Sequence, residues 1–252
     1  MKRMNAAENL VYNDGERLIP WVTHSEEELV RHRSSYEFFK AVIERDTQGA
    51  KPVVIVDLGY GTGHGCQLLS RIPGARVIGI DNAEECQRYA SKHYGAHNID
   101  YRVADIAEYL KEMEPVDYVI SRGVIEHVPD GIAACINAKY HARMMIDVPY
   151  REPAGVNPHH ILSEITEKDF ERFVGCELMF EEMSGEIYYA PVHEPWPNMI
   201  LCAMSRPGFK PLREMFTYPI PPHQPSELER RWYKLKNAFY NRYTHLFHSS
   251  HK

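Results

Sequence analysis

The sequence contains no hydrophobic run approaching the roughly 20 residues that cross a bilayer. Its opening, MKRMNAAENLVYNDGERL, has basic residues but lacks the apolar stretch of a signal peptide. Cysteine is sparse: Cys66, Cys86, Cys135, Cys176 and Cys202 form no C-x-x-C pair, and their number is odd. That argues against a thiolate zinc site and a disulfide framework, so a reducing, cytoplasmic setting is expected. A basic excess is missing too. With a net charge of −6 the chain has no general reason to bind nucleic acid, and no such partner is expected. What remains is an ordinary globular composition, 44% hydrophobic and 25% charged over 252 residues. That length suits one large domain with elaborated ends.

Residues Ser25 to Arg45 read as a helix, with Ser25 as N-cap and three glutamates in the first turn. Short β-branched runs then alternate with helical patterns. PVVIVDLG, ARVIGID (Ala75 to Asp81), NIDYRVAD, VDYVIS (Val116 to Ser121) and ARMMIDVP (Ala142 to Pro149) read as five buried strands. The helices between them are expected at Gly63 to Arg71, Ala83 to Tyr94, Ile106 to Met113 and about Pro129 to Ala138. Such alternation implies βαβ units and a doubly wound, mainly parallel sheet. After Pro149 the rhythm changes. A helix is expected at Thr166 to Val174, followed by two strands at Glu177 to Ile187 and Met199 to Ser205. These two should form an antiparallel hairpin on the sheet edge, making seven strands in all.

The stretch VDLGYGTGHG, Val56 to Gly65, closes the first strand with four glycines. A phosphate-binding P-loop would need G-x-x-x-x-G-K-[ST], and no lysine follows. The dinucleotide fingerprint G-x-G-x-x-G fails in both registers, at His64 and at Cys66. What is present is D-x-G-x-G-x-G: Asp57, Gly59, Gly61 and Gly63. An aspartate beside the turn repels a pyrophosphate but can pair with an ammonium group, such as that of S-adenosylmethionine. Asp81 ends the second strand, where a carboxylate can accept ribose hydroxyls. Asp105 follows the third strand, placed for an adenine amino group, with Ile106 packing on the ring. Each acid alone could be only a helix cap. All three lie at the carboxyl edge of the sheet, where ligands bind in such folds.

On these residues the stretch from Pro52 to Ser205 resembles the class I S-adenosylmethionine-dependent methyltransferases, an α/β fold with a Rossmann-like sheet and a C-terminal antiparallel hairpin. The resemblance implies S-adenosylmethionine as cofactor, held by Asp57, Gly59, Tyr60, Gly61, Gly63, Asp81, Asn82, Asp105, Ile106 and Ser121. Tyr60 departs from the small residue usual at its place, and is expected to cover the cofactor or narrow the path to it. In the resemblance, SRGVIEHVPD after the fourth strand borders the methyl group, and Glu126-His127 looks like the E-H pair of many small-molecule and glycan methyltransferases. His127 is the candidate base, because an unperturbed imidazole titrates near neutrality. A histidine fixing its own loop by hydrogen bonds is the other reading of His127. Glu126 and His160 join it as candidate catalytic residues, His160 from the loop after the fifth strand. Certain RNA 2′-O-methyltransferases and ubiquinone-pathway O-methyltransferases bind a divalent metal through E-x-x-E-H. Glu126, His127 and His160 could fill three such places, but Gly123 stands where the first glutamate belongs, and no metal is assigned.

At the N-terminus, NDGERLIPW followed by a helix with His32 and Tyr36 is similar to the G-E-R-x-x-P opening of bacterial glycan and cell-envelope methyltransferases. The likeness implies that an opening strand and helix fold over the cofactor as a lid, with Arg17 near substrate or cofactor carboxylate, or merely in a surface ion pair. Three regions are therefore expected: residues 1–50 as lid, 51–206 as cofactor-binding domain, and 207–252 as a Pro-rich segment ending in a basic amphipathic helix. The stripe Leu228, Trp232, Leu235, Phe239 and Leu246 of that helix would pack on the domain or on a second subunit as a homodimer. The activity expected is methyl transfer to a hydroxyl of a sugar or other polar small molecule. N-methylation of a small amine or amino sugar, and RNA 2′-O-methylation, are the alternatives.

Overall fold

The computed structural model describes residues 6–13, 17–20, 26–48, 52–228 and 231. Ser25, residues 14–16 and 21 of the N-terminal motif, and the C-terminal stripe beyond Leu228 lie outside the described residues. Two N-terminal helices, α1 (Ala6–Tyr12) and α2 (Glu26–Thr47), precede the alternating region. There follow β1 (Val53–Leu58), α3 (His64–Leu69), β2 (Ala75–Asp81), α4 (Glu84–Tyr94), β3 (Ile99–Val103), α5 (Ile106–Glu112), β4 (Val116–Arg122), α6 (Gly131–Ala134) and β5 (Tyr140–Pro149). The last elements are β6 (Glu177–Glu181), β7 (Ile187–Tyr189), β8 (Met199–Ser205) and the single turn α7 (Leu212–Met215).

One eight-stranded sheet runs β3-β2-β1-β4-β5-β8-β6-β7. The first five of these strands are parallel, and β8, β6 and β7 continue the sheet in antiparallel pairs. The expected antiparallel pairing of the last two runs is present as β6 with β8, but β8 lies inside, against β5, and the count is eight. The extra strand arises because Glu177 to Ile187 does not run straight. Gly185 adopts φ +88°, its N–H bonds to Glu182 O (2.9 Å), and the chain turns back to form β7 at the edge. The helix expected at Thr166 to Val174 shrinks to a 3₁₀ turn at Glu167–Phe170, opened by a reciprocal Thr166–Asp169 capping box. A three-residue period eclipses side chains at i and i+3, which lets Phe170 and Phe173 both be buried while Val174 is 98% exposed.

Side-chain alternation along the strands divides the core in two. One face, carrying Val53, Ile55, Val77, Ile120, Met145 and Met179, packs under α1, α2, α3 and α4; the other, carrying Val56, Leu58, Ile80, Val119 and Ile146, packs under α5 and α6. No described helix is long and apolar enough to cross a membrane. The topological break lies between β1 and β4, whose chains leave in opposite directions, and a crevice opens there at the carboxyl ends of the strands.

Candidate active site

The turn from β1 into α3 is built by backbone. Gly59 donates to Ile80 O (2.6 Å) at φ +72°, and a Cβ there would overlap Val124. Gly61, at φ +50°, donates to the Asp81 carboxylate (2.9 Å), and a Cβ on it would find only Arg17 Cδ, at 4.0 Å. Its Cα side is thus open, and a larger residue would occupy the space above the turn. That space is a cavity of about 300 Å³ bounded by the glycine turn, the ends of β2 and β4, and α2.

Of the residues expected at a cofactor site, Gly59, Tyr60, Gly61, Asp81, Asn82 and Ile106 line this cavity, with His127 at its other wall. Asp81 is 6% exposed and also accepts from the Ala83 N–H (3.0 Å), so one carboxylate organises both the glycine turn and the entry to α4.

Four expected residues, Asp57 among them, sit outside the cavity lining. Alternation places Asp57 on the α2/α3 face, fully buried, with the Tyr36 hydroxyl (3.2 Å) and the Cys66 thiol (3.1 Å) donating to it. Burial pushes its carboxyl up to about 7 despite those two hydrogen bonds. Tyr36, not Asp57, faces the cavity. Gly63 lies behind the turn, its missing Cβ leaving room for Ala90 and Tyr101. Ser121 spends its hydroxyl on Leu58 O (3.3 Å) on the opposite face. Asp105 is the N-cap of α5, accepting from the Glu108 N–H (2.9 Å), and is exposed beside the cavity rather than in it.

Tyr60 also departs from expectation. Its ring turns inward over Gly79, 4.8 Å from the Tyr101 ring, and only 3% of the residue is exposed. The absence of a side chain at Gly79 makes that burial possible, since a Cβ there would lie 2.6 Å from Tyr60 Cδ1. Tyr60 forms floor, not cover.

After β4 a 3₁₀ turn carries Glu126 and His127. His127 Nδ1 meets the His159 carbonyl at 3.0 Å; a carbonyl only accepts, so Nδ1 carries a proton, and in the neutral ring the lone pair is on Nε2. His160 lies outside the cavity lining, its ring edge-on to His127 with centroids 4.7 Å apart. Its Nδ1 pairs with Glu152, and its Nε2 is 2.9 Å from Asn157 Nδ2 and 3.9 Å from Glu126 Oε1. Glu126 is 1% exposed, with Oε2 lacking a hydrogen-bond partner among the described residues, and burial pushes its carboxyl up to about 8. Ligand atoms of Glu126, His127 and His160 all lie within 4.8 Å of one another. These three donors could hold a divalent ion, but Gly123 supplies no fourth.

The sequence reading missed a charged cluster at the ends of β4, β5 and β6. Arg122 lines the cavity, donates to Glu181 Oε2 (3.2 Å) and lies 4.0 Å from Asp147 Oδ2. Asp147 and Glu181 are both fully buried, and burial raises both carboxyls, Glu181 to about 8. From α2, Glu28, Arg31, His32 and Tyr36 close the same cavity. Arg17 lines it too and sits 3.7 Å from Glu85, in the ion pair weighed for it. No strand is present at residues 17–20.

Residues 55–142, from β1 into β5, match the family model described as a methyltransferase domain. The chain carries a methyltransferase domain. Trans-aconitate 2-methyltransferase of Azoarcus sp. (strain BH72) is 28% identical over 142 residues, 54% of this chain and 53% of that protein. The protein of the same name from Streptomyces avermitilis is 34% identical over 86 residues, 32% of each chain. The chain thus spans about half the length, or less, of these curated relatives. Among solved structures, the N-terminal domain of EvdMO1, in the presence of SAH and D-fucose, aligns with 80% of this chain and 97% of that one, at 19% identity and a TM-score of 0.51. The methyltransferase domain of bacterial-CtHen1-CN aligns with 69% and 98%, at 15% identity and a TM-score of 0.50. At these identities the likeness is one of fold. The methyltransferase domain therefore has the Rossmann-like sheet expected of it, extended by one edge strand.

Proposed function

We propose that the chain transfers a methyl group from S-adenosylmethionine to a hydroxyl oxygen of a sugar or other polar small molecule. One observation carries the reading: a single cavity joins the open face of Gly61 and the Asp81 carboxylate to the His127 imidazole. The residues suit the cofactor. Asp81 would accept from ribose hydroxyls, Ile106 would pack on the adenine, and the space above Gly61 would take the chain between sulfur and carboxylate. When bound, the cofactor supplies a methyl group on a positively charged sulfur, so the protein's task is mainly positioning and exclusion of water. α2, with Tyr36 and His32, closes the cavity from above in this reading, and Arg17 and Leu18 complete that cover.

A hydroxyl acceptor must lose its proton. His127 is oriented for this by the His159 carbonyl, which fixes the tautomer with the basic lone pair on Nε2. Glu152 and Asn157 hold His160 beside it, and His160 buttresses the His127 ring.

Calorimetry with S-adenosylmethionine and S-adenosylhomocysteine tests the core of the proposal. Both should bind; Asp81→Ala and Gly61→Val should each abolish binding, the latter by placing a branched side chain in the cavity at a strained φ. A wild-type chain that takes up neither compound, or binding indifferent to both substitutions, overturns it. An acceptor screen should include neutral sugars and trans-aconitate, the tricarboxylate for which the two relatives are named.

A further inference from the structure

Two arginines reach the cavity from different elements, Arg122 from the end of β4 and Arg31 from α2. Arg122 is about nine-tenths buried, and its Nε has no hydrogen-bond acceptor among the described residues. Arg31 is partly buried and is held at the β6–β7 turn, with Nη1 3.6 Å from Met183 Sδ and Cα packed where Gly185 has no side chain. No described carboxylate lies within ion-pair distance of the Arg31 guanidinium. The two cations are close enough that Arg122, after burial itself, lowers the Arg31 pKa. Holding two guanidinium groups together against a partly dry wall costs free energy unless an anion offsets it. Asp147 and Glu181 partly offset Arg122, and Glu181 and Glu28 partly offset Arg31, but the carboxylates that pair with Arg122 are buried behind it, and neither Glu28 nor Glu181 forms an ion pair with Arg31.

We infer that Arg31 and Arg122 form a subsite for a carboxylate group in the cavity. A guanidinium presents its N–H donors as a planar fork that matches the two oxygens of a carboxylate, which a lysine or histidine cannot do. The order β2-β1-β4 puts Arg122 two strand spacings, roughly 10 Å, from the Asp81 end. The subsite therefore lies away from the residues placed for ribose and adenine. The inference rests on the methyltransferase reading for the meaning of that separation. The carboxylate then has two sources, the methyl acceptor or the amino-acid end of the cofactor.

Arg31→Gln and Arg31→Lys test this while leaving the buried Arg122–Asp147–Glu181 group intact. The probes are S-adenosylhomocysteine, 5′-methylthioadenosine, which keeps the nucleoside and thioether but has no carboxylate, and trans-aconitate against its trimethyl ester. If the cofactor supplies the group, Arg31→Gln weakens S-adenosylhomocysteine at least tenfold and leaves 5′-methylthioadenosine unchanged. If the acceptor supplies it, both nucleosides bind as before, while trans-aconitate binding falls at least tenfold and the ester never binds. In either case Arg31→Lys restores only part of the loss, because it returns the charge without the fork. Unchanged affinity of Arg31→Gln for every probe that the wild type binds overturns the subsite, as does wild-type binding of trans-aconitate and its ester with equal affinity. A wild type that binds neither nucleoside defeats the methyltransferase reading instead. Titration of that protein with trans-aconitate still judges the arginine pair, and absence of binding there overturns the pair as well.

Discussion

Replacing Tyr60 by phenylalanine should make the protein more stable. The ring is packed between Gly79 and Tyr101 and is retained by the substitution, so no cavity forms. What is removed is a hydroxyl with no hydrogen-bond partner among the described residues, on a residue only 3% exposed. A buried polar group left unsatisfied costs about 1–3 kcal/mol. Part of that is recovered if water reaches the oxygen from the adjoining cavity, so a gain of about 1 kcal/mol is expected. For a chain of this size it corresponds to a rise in Tm of about 2–4 °C. Urea denaturation followed by tryptophan fluorescence should show a higher midpoint at constant slope, and S-adenosylhomocysteine affinity should stay within twofold. A loss of stability of 1 kcal/mol or more would mean that the hydroxyl is well bonded and the orphan assignment wrong. A large loss of cofactor affinity would return Tyr60 to the covering role first expected of it. Tyr60→Ala provides the contrast, since emptying the space under the turn should cost about 3–5 kcal/mol.

Asp46→Ala strips the partner from Arg143, which is fully buried and bonded to Asp46 at 2.7 and 2.9 Å; a loss of about 3–5 kcal/mol is expected in denaturant melts, more than a surface ion pair could give. Stability should also fall as pH rises from 6 to 8. Asp57, Glu126 and Glu181 have folded pKa values raised by burial to about 7, 8 and 8. The native state therefore keeps protons that the unfolded chain releases; this contribution is complete at acid pH and is lost as pH climbs through those values. Each group adds up to about 1.4 kcal/mol per pH unit. Glu126→Gln should accordingly flatten the slope of stability against pH, and a midpoint that climbs over this range would count against burial as the cause. Once an acceptor is found, turnover of the wild type should rise with pH as His127 loses its proton, and His127→Ala should be slow at every pH; undiminished turnover by that variant removes it as the base.

The five parallel strands were readable because each is a β-branched run bounded by turn residues, and buried parallel strands need little else. β7 was not, because the run from Glu177 to Ile187 reads as one strand until Gly185 is known to sit at positive φ against α2. The site divides in the same way. Glycines and strand-end acids report their own positions, so Gly61, Asp81 and Ile106 were found at the cavity from spacing alone. Position alone puts Asp57 at the strand end beside the turn; that it is buried against α2 follows only from the alternation it shares with Val53 and Ile55 in VVIVDL.

The same alternation could have exposed the charged cluster. Arg122 is in phase with Ile120, Asp147 with Met145 and Glu181 with Met179, so all three strands end with a charge on the α2 face. Three charged residues in phase with core positions on strands that converge in one sheet are a signal, because an unpaired buried charge is too costly to be incidental. Arg31 gave no such signal. Its role depends on how α2 lies across the sheet and on the turn at Gly185 that pins it, neither of which leaves a local mark in the sequence. The parts of the site that strands carry can thus be derived from period and position, whereas the parts that α2 contributes need the packed structure. The arginine pair joins one residue of each kind, and for that reason it emerges only when the two are seen in one cavity.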